Sequence, residues 1–279
     1  MDPVKAISLA ALCLILLGGV LYLTTGEVYS SLFVFPAMAA AAAYTLAPQL
    51  RWWHWQRHAP DLPTELAPLL DRFARYRRLD LAGKREFRRR TFLLREATHF
   101  RGMAPIEEKV PIDVQYMVAA SAATLTFPRP EFQLKDIETV VFYLHHFPTP
   151  RHEQLHVAEF YGPDGAIIYT LNVFLRSVVE PDKYPQLGYY AYAQALLYVD
   201  AWLNDELAPH LLGYADIEEI TDFSEPALRE YLGLEPDLAA LTLTVYHSHH
   251  ECLRALRPAV FTALEALFGN TAPASSPPK

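Results

Sequence analysis

Two long apolar runs open the chain, and only after them does the mixed pattern of a folded domain begin. Ala6 to Leu23 is 18 residues without a charge, and Val28 to Leu46 is 19 more, interrupted by Pro36 and a few hydroxyls. Each is close to the roughly 20 residues a helix needs to cross a bilayer. With the short link Thr24-Thr25-Gly26-Glu27, they predict a two-helix transmembrane hairpin over residues 1–50. A cleaved signal peptide is the other reading of the first run, with Lys5 as its basic start, but no small-x-small cleavage site precedes the second run. Trp52, Trp53 and Trp55, interleaved with His54 and His58, then form an interfacial aromatic and basic linker over residues 51–63.

Residues 64–268 read as one α+β domain. Helical spacing covers Thr64–Arg78, Leu81–Phe100 and Pro111–Thr126, with Leu66, Leu69, Leu70, Phe73 and Tyr76 as the apolar stripe of the first. Short β-prone segments follow at Thr139–Leu144, Val157–Tyr161 and Ile167–Asn172, the last two joined by the turn Gly162-Pro163-Asp164-Gly165. After Phe174 the pattern is helical again, and the Ala/Ser/Pro-rich end, residues 269–279, is expected to be disordered.

The domain is organised around Gln186-Leu187-Gly188-Tyr189-Tyr190-Ala191-Tyr192-Ala193-Gln194-Ala195-Leu196, an uncharged run. It continues through Leu197, Tyr198, Trp202 and Leu203 at three- and four-residue spacings, which predicts one long helix.

Charge changes the picture more than the net value of -8 suggests. Residues 51–101 hold 13 Lys and Arg against 6 Asp and Glu, net +7, so the rest of the chain carries -15. Lys5 before the first run, Glu27 between the two, and Arg51 and Arg57 after the second put both flanks in the cytoplasm by the positive-inside rule. The cluster Arg88-Arg89-Arg90 reads as a solvated helix face or as a contact for anionic lipid, and a bilayer accounts for the basic and aromatic residues without a nucleic acid. Two cysteines, Cys13 and Cys252, exclude a disulfide framework and a Cys-based zinc site.

Candidate chemistry is sparse. There is no Ser/His/Asp triad and no phosphate-cradling glycine loop. A literal HExxH stands at His152-Glu153-Gln154-Leu155-His156, where Thr149 and Pro150 could start a short helix with the histidines as zinc ligands and Glu153 as base. Pro148, Pro150 and the Gly162 turn argue instead for an exposed loop and strand start, in which the two side chains do not converge. In Tyr246-His247-Ser248-His249-His250-Glu251, His247 pairs with His250 or Glu251 on one helical face, as a metal site or, more commonly, as surface polarity. His145 and His146, adjacent on a predicted strand, point to opposite faces.

The central run and its approach, Asn172-Val173-Phe174 to Asp182-Lys183-Tyr184-Pro185, resemble the active-site segment of zinc-dependent peptidases of the Mlc titration factor A (MtfA) type. That family carries an Asn-Leu-Gly-Leu-His-Glu-Phe-Ala-His-Ala-Leu-like segment here. Laid on it, the first His becomes Tyr190, the Glu becomes Ala191 and the second His becomes Gln194, while Ala193 and Ala195-Leu196 are kept. Ser121-Ala122-Ala123, the strand at Thr139–Tyr143 and His156-Val157-Ala158-Glu159 occur in the family's order, so the resemblance covers residues 64–250. The family's third ligand comes from a downstream acidic segment whose second half falls here on Glu230–Pro236, which puts the ligand position, in the first half, at Phe223.

The resemblance implies a zincin-like metallopeptidase fold. The substitutions imply a degenerate member without metal or cofactor, since a phenol and an amide replace two imidazoles and a methyl group can neither accept nor return a proton. The expected function is peptide or protein binding in a groove floored by Ile167–Asn172 and the Tyr190/Gln194 helix, in a multi-pass inner-membrane protein whose domain is cytoplasmic. The alternative is an active zinc peptidase built on His152, Glu153 and His156.

Overall fold

A computed structural model describes residues 3–26, 30–104, 106 and 110–269. The hairpin link at Glu27 and the predicted disordered tail beyond Gly269 lie outside the described residues. The chain divides into two compact units, Met1–Pro60 and Asp61–Lys279.

In the first unit, α1 (Pro3–Thr25) is 23 residues long, about 35 Å at 1.5 Å per residue, which is enough to cross a hydrocarbon layer of about 30 Å. Its mean hydropathy is 2.5, and Leu9, Leu12, Leu16, Val20 and Leu23 stand exposed on it. Thr24 and Thr25 turn their hydroxyls back onto the carbonyls of Val20 and Leu21, which removes donors and acceptors from the end of the helix. The second apolar run is not one straight span. It forms α2 (Ser31–Thr45), bends by 74° at Leu46, and continues as α3 (Ala47–Arg57). Pro48 lacks the N–H that would reach back to Tyr44, and its ring disfavours helical backbone before it. The 15 residues of α2 span only about 22 Å, so one helix here, α1, is long and apolar enough to cross a membrane by itself. α2 packs on α1 where Gly18 faces Leu32 and Phe33.

The second unit combines helices with a four-stranded sheet. The predicted first helix breaks into a 3-10 turn at Thr64–Leu66, α4 (Ala67–Leu70) and α5 (Ala74–Arg78), because Phe73 takes extended backbone to bury its ring against Tyr189. α6 (Leu81–Ala97), N-capped by Asp80, ends three residues before the predicted Phe100. Residues 99–102 become β1 (His99–Gly102), whose pairing with a neighbouring strand outweighs the helical spacing of Phe100. After α7 (Ile112–Thr126) come β2 (Thr139–Tyr143), β3 (Ala158–Tyr161) and β4 (Ala166–Thr170). The sheet order is β1-β2-β4-β3: β1, β2 and β4 are parallel, and β3 is antiparallel on the edge.

The remaining helices are α8 (Leu171–Val179), α9 (Leu187–Val199), α10 (Ala201–Leu207), α11 (Tyr214–Thr221), α12 (Glu225–Leu232), α13 (Leu238–Ser248), α14 (His250–Leu256) and α15 (Pro258–Phe268). α9 is the axis of the unit, buried from Leu187 to Ala193 and touched by α7, α8, α13, β3 and β4. A helix apolar on all sides is what such a central position requires. The predicted single long helix nevertheless ends at Val199. Asp200 leaves helical backbone and caps α10 through the Leu203 N–H, and Tyr198 and Trp202 are exposed.

Candidate functional site

The sequence spacing puts Tyr190 and Gln194 one turn apart on α9, and there they meet. The Gln194 amide donates to Tyr190 Oη at 3.5 Å, and the same oxygen accepts the Asp237 backbone N–H at 3.0 Å. Burial pushes the Tyr190 phenol well above its usual range, so it stays neutral. Ala191, where the resemblance placed a lost general base, is fully buried in the core.

The HExxH segment is not helical. Thr149 and His152 close a turn on each other, with the Thr149 N–H donating to His152 O and the His152 N–H to Thr149 O and Oγ1. Phe147 and His156 form an antiparallel bridge. The expectation that the two histidine side chains diverge is nevertheless overturned: the turn folds the loop back, and the rings stand 5.9 Å apart. They converge on Glu159 of β3, not on Glu153, which is exposed. Glu153 to Leu155 form the exposed loop, whereas His156, at the lead-in to β3, is fully buried.

His156 Nδ1 lies 2.8 Å from the Gln154 carbonyl, which can only accept, so Nδ1 carries hydrogen. Its Nε2 is 3.0 Å from Glu159 Oε2, and one proton must lie between them. Both nitrogens are thereby used within the protein. His152 Nε2 stays 4.0 Å from Glu159 Oε1, beyond hydrogen-bond length, and that oxygen has no partner although it is buried.

Tyr190, Gln194, Glu159 and His152 line one cavity of about 310 Å³, together with Leu234 and Asp237. A second, also about 310 Å³, shares Arg151, Phe160, Gln194 and Asp237 with it and runs to Gly162 and Tyr198. The two make a groove along β3, which corrects the expected floor: β4 lies inside the sheet, and residues 171–172 begin α8. Because Val157 O accepts from Thr170 N–H, the alternation of an antiparallel pair sets Glu159 and Tyr161 bonding towards β4. The N–H and C=O groups of Ala158 and Phe160 therefore face the open edge, where no other strand pairs with β3 among the described residues.

Downstream, Gly233 ends α12 at φ +76° and turns Leu234 to Asp237 into the groove wall, held by the Val157 N–H to Leu232 O bond. A Cβ on Gly233 would stand 2.3 Å from Leu155 O. Of the segment Glu230–Pro236, Leu232, Leu234 and Glu235 line the groove, with Asp237 just beyond it, while Phe223 packs on the core and Glu230 is exposed. Glu235 pairs with Arg229 and accepts from Tyr214, and Asp237 Oδ1 caps α13 through the Ala239 and Ala240 N–H groups.

The donor set does not fit zinc. A neutral phenol, an amide and a buried methyl occupy the α9 positions, His156 has no free nitrogen, and no group of three or more His, Cys, Asp or Glu among the described residues could hold a metal.

The other histidines are corrected too. His247 is not surface polarity but fully buried beside Tyr189, Tyr246 and Phe268, with both ring nitrogens unpartnered. His249 breaks the helix, so His250 starts α14, 3.4 Å from Glu265. β2 ends before His145 and His146, which both line a cavity of about 410 Å³ with Arg176 and Asn172.

Sequence reasoning missed Glu159 as the convergence point and Asp237 as the partner of Tyr190. An Asp directly before an apolar helical run was a readable cap signal for the second, whereas nothing local marks the first. Comparison with family models, with curated proteins and with solved structures finds no match.

Proposed function

We propose that this protein is a membrane-anchored, catalytically silent relative of the MtfA-type zinc peptidases, with a zincin-like domain that binds an extended peptide or protein segment. The reading rests on the resemblance in the α9 segment and, above all, on one geometric fact. The open edge of β3 and the Tyr190/Gln194 face of α9 border the same groove. An extended segment entering it can pair with the Ala158 and Phe160 backbone groups, as strand addition to a free edge requires. The bilayer is the second partner: α1 spans it, α2 with α3 makes the bent second span of a hairpin, and the domain lies on the cytoplasmic side of the inner membrane.

The test uses the full chain in detergent and a hexapeptide selected on it from a random library. Methylating the amide nitrogens of alternate peptide residues removes strand-type bonds in one register, so one methylated series should lose binding and the other keep it. Chelator should change neither. Equal loss in both series, or none, removes the edge-pairing reading. Stoichiometric zinc that disappears in the His152→Ala, His156→Ala double variant would establish the rival, an active peptidase using His152, Glu153 and His156.

A further inference from the structure

We infer that the Glu159 end of the groove is a receptor for a primary ammonium group, supplied either by the free N-terminus of the bound segment or by a lysine side chain. The inference rests on the groove reading for the segment and on the chemistry of one carboxylate for the group it carries.

Glu159 is 4 % exposed, lines the cavity, and has its two oxygens in different states. Oε2 is held by His156, while Oε1 has no hydrogen-bond partner. A buried acceptor without a donor is destabilising, so a site that keeps one is open to a donor from outside. A second acceptor is left over in the lining of the same cavity. Gln194 Oε1 is also buried without a partner, in the orientation in which its amide donates to Tyr190. The other carboxylates, Glu235 and Asp237, are already engaged but add negative potential, against Arg151 at the rim.

The number of free oxygens selects the ligand. A guanidinium is matched by both oxygens of a carboxylate at once, and here His156 has taken one of them. A divalent cation needs several ligands, and no such cluster is present among the described residues. An ammonium is a compact charge with three donors, and it suits a single free carboxylate oxygen in a cavity whose lining holds a second unpartnered acceptor. His152, half-buried and 4.0 Å from Oε1, stands over the position without bonding to it. Its ring must turn aside when the ligand enters.

Titration calorimetry on the full chain in detergent tests this. The small probes are n-butylammonium chloride, n-butylguanidinium chloride and n-butanol. The peptides share one hexapeptide backbone: one has a free N-terminus and no lysine, one is N-acetylated with a lysine, and one is N-acetylated with norleucine in its place. Butylammonium should bind and the other two small probes should not. One of the first two peptides should bind at least 10-fold more tightly than the third, and which one does identifies the source of the ammonium. Glu159→Gln should erase that difference, whereas His152→Ala should preserve or enlarge it. The ligand-side comparison in the unmodified protein stands even where Glu159→Gln does not fold. If all three peptides bind alike, the ammonium inference is wrong and the groove reading survives. If butylammonium binds but no peptide does, the groove reading fails and the ammonium site remains. If nothing binds, both fall.

Discussion

Arg90 carries more of the fold than its place in a basic cluster suggests. It is 2 % exposed, and its Nη1 donates to the carbonyls of Thr126, Phe127 and Arg129, closing the C-terminal end of α7, while Nε meets Glu86. Arg75 does the same for α15 through Phe268 O, and burial lowers its pKa to about 10. Charge patterning in the sequence therefore overstated the basic surface, because carbonyls at helix ends take up guanidinium groups that solvent or lipid was expected to receive. Arg90→Met should lower the unfolding free energy by roughly 3 kcal/mol, since it strips the Thr126, Phe127 and Arg129 carbonyls of their guanidinium donor, while Glu86 keeps Arg89. Denaturant unfolding of the detergent-solubilised protein measures it, and a change below 1 kcal/mol would refute the capping role.

His247 makes the opposite demand. Burial first, then the nearby positive charges of Arg75 and Arg78, hold its pKa well below the ordinary 6.5, so the folded ring is neutral. Below about pH 6.5 the unfolded chain binds a proton that the folded chain refuses. Stability is therefore fully present above that pH and falls as the pH drops, by up to about 1.4 kcal/mol per unit for this one group. His247→Leu should leave stability at pH 7.5 equal or higher, because it removes two unpartnered nitrogens, and should flatten the decline between pH 6.5 and 5. Part of the slope should remain, since burial also lowers His249 and His250. An unchanged slope in melting temperatures across that range would reject the assignment.

At the level of elements, α9 was legible because an uncharged run of small and aromatic residues has few homes other than the centre of a domain. Its limits were less so, because the spacing of Tyr198 and Trp202 continues the stripe although the packing stops at Asp200. The loop from Pro148 to His156 was legible as irregular, yet its convergence on Glu159 is a tertiary event with no local signature. The edge position of β3 likewise depends on which strand β4 accepts as a neighbour, and alternation alone does not say. What the α9 sequence does fix is its distance from α7. A Cβ on Gly188 would stand 2.2 Å from Ser121 Oγ and 2.8 Å from Ser121 Cβ, and rotating the hydroxyl relieves only the first contact. Gly188→Ala should thus force the helices apart at a cost of roughly 1–3 kcal/mol, despite the better helix former. Adding Ser121→Gly removes both clashes. The double variant should be more stable than the sum of the single effects predicts, by more than about 0.5 kcal/mol in a double-mutant cycle. Strict additivity would mean that the two helices do not meet there.

On the scale of the whole molecule, the only two cysteines sit one in each unit and report on how the chain meets the bilayer. Cys13 lies on α1 with its side exposed, so a spanning α1 holds it in hydrocarbon, out of reach of a charged reagent. Cys252 is exposed on α14 of the second unit, and a cytoplasmic domain holds it in water on the inner side. A membrane-impermeant maleimide should therefore label neither thiol in intact spheroplasts, Cys252 alone after the cells are broken, and both once detergent dissolves the membrane. Labelling of Cys252 in intact spheroplasts would put the domain outside, against the side that Arg51 and Arg57 imply. Labelling of Cys13 in broken cells without detergent would mean that α1 does not span. The bend at Leu46 adds a test of the second crossing, because Arg51 and Arg57 lie beyond it on α3. If α2 and α3 cross together, a cysteine introduced at Gln56 should, like Cys252, react only after the cells are broken. If they do not, that cysteine and Cys252 should both react from the outer face, and the hairpin would be replaced by a single anchor.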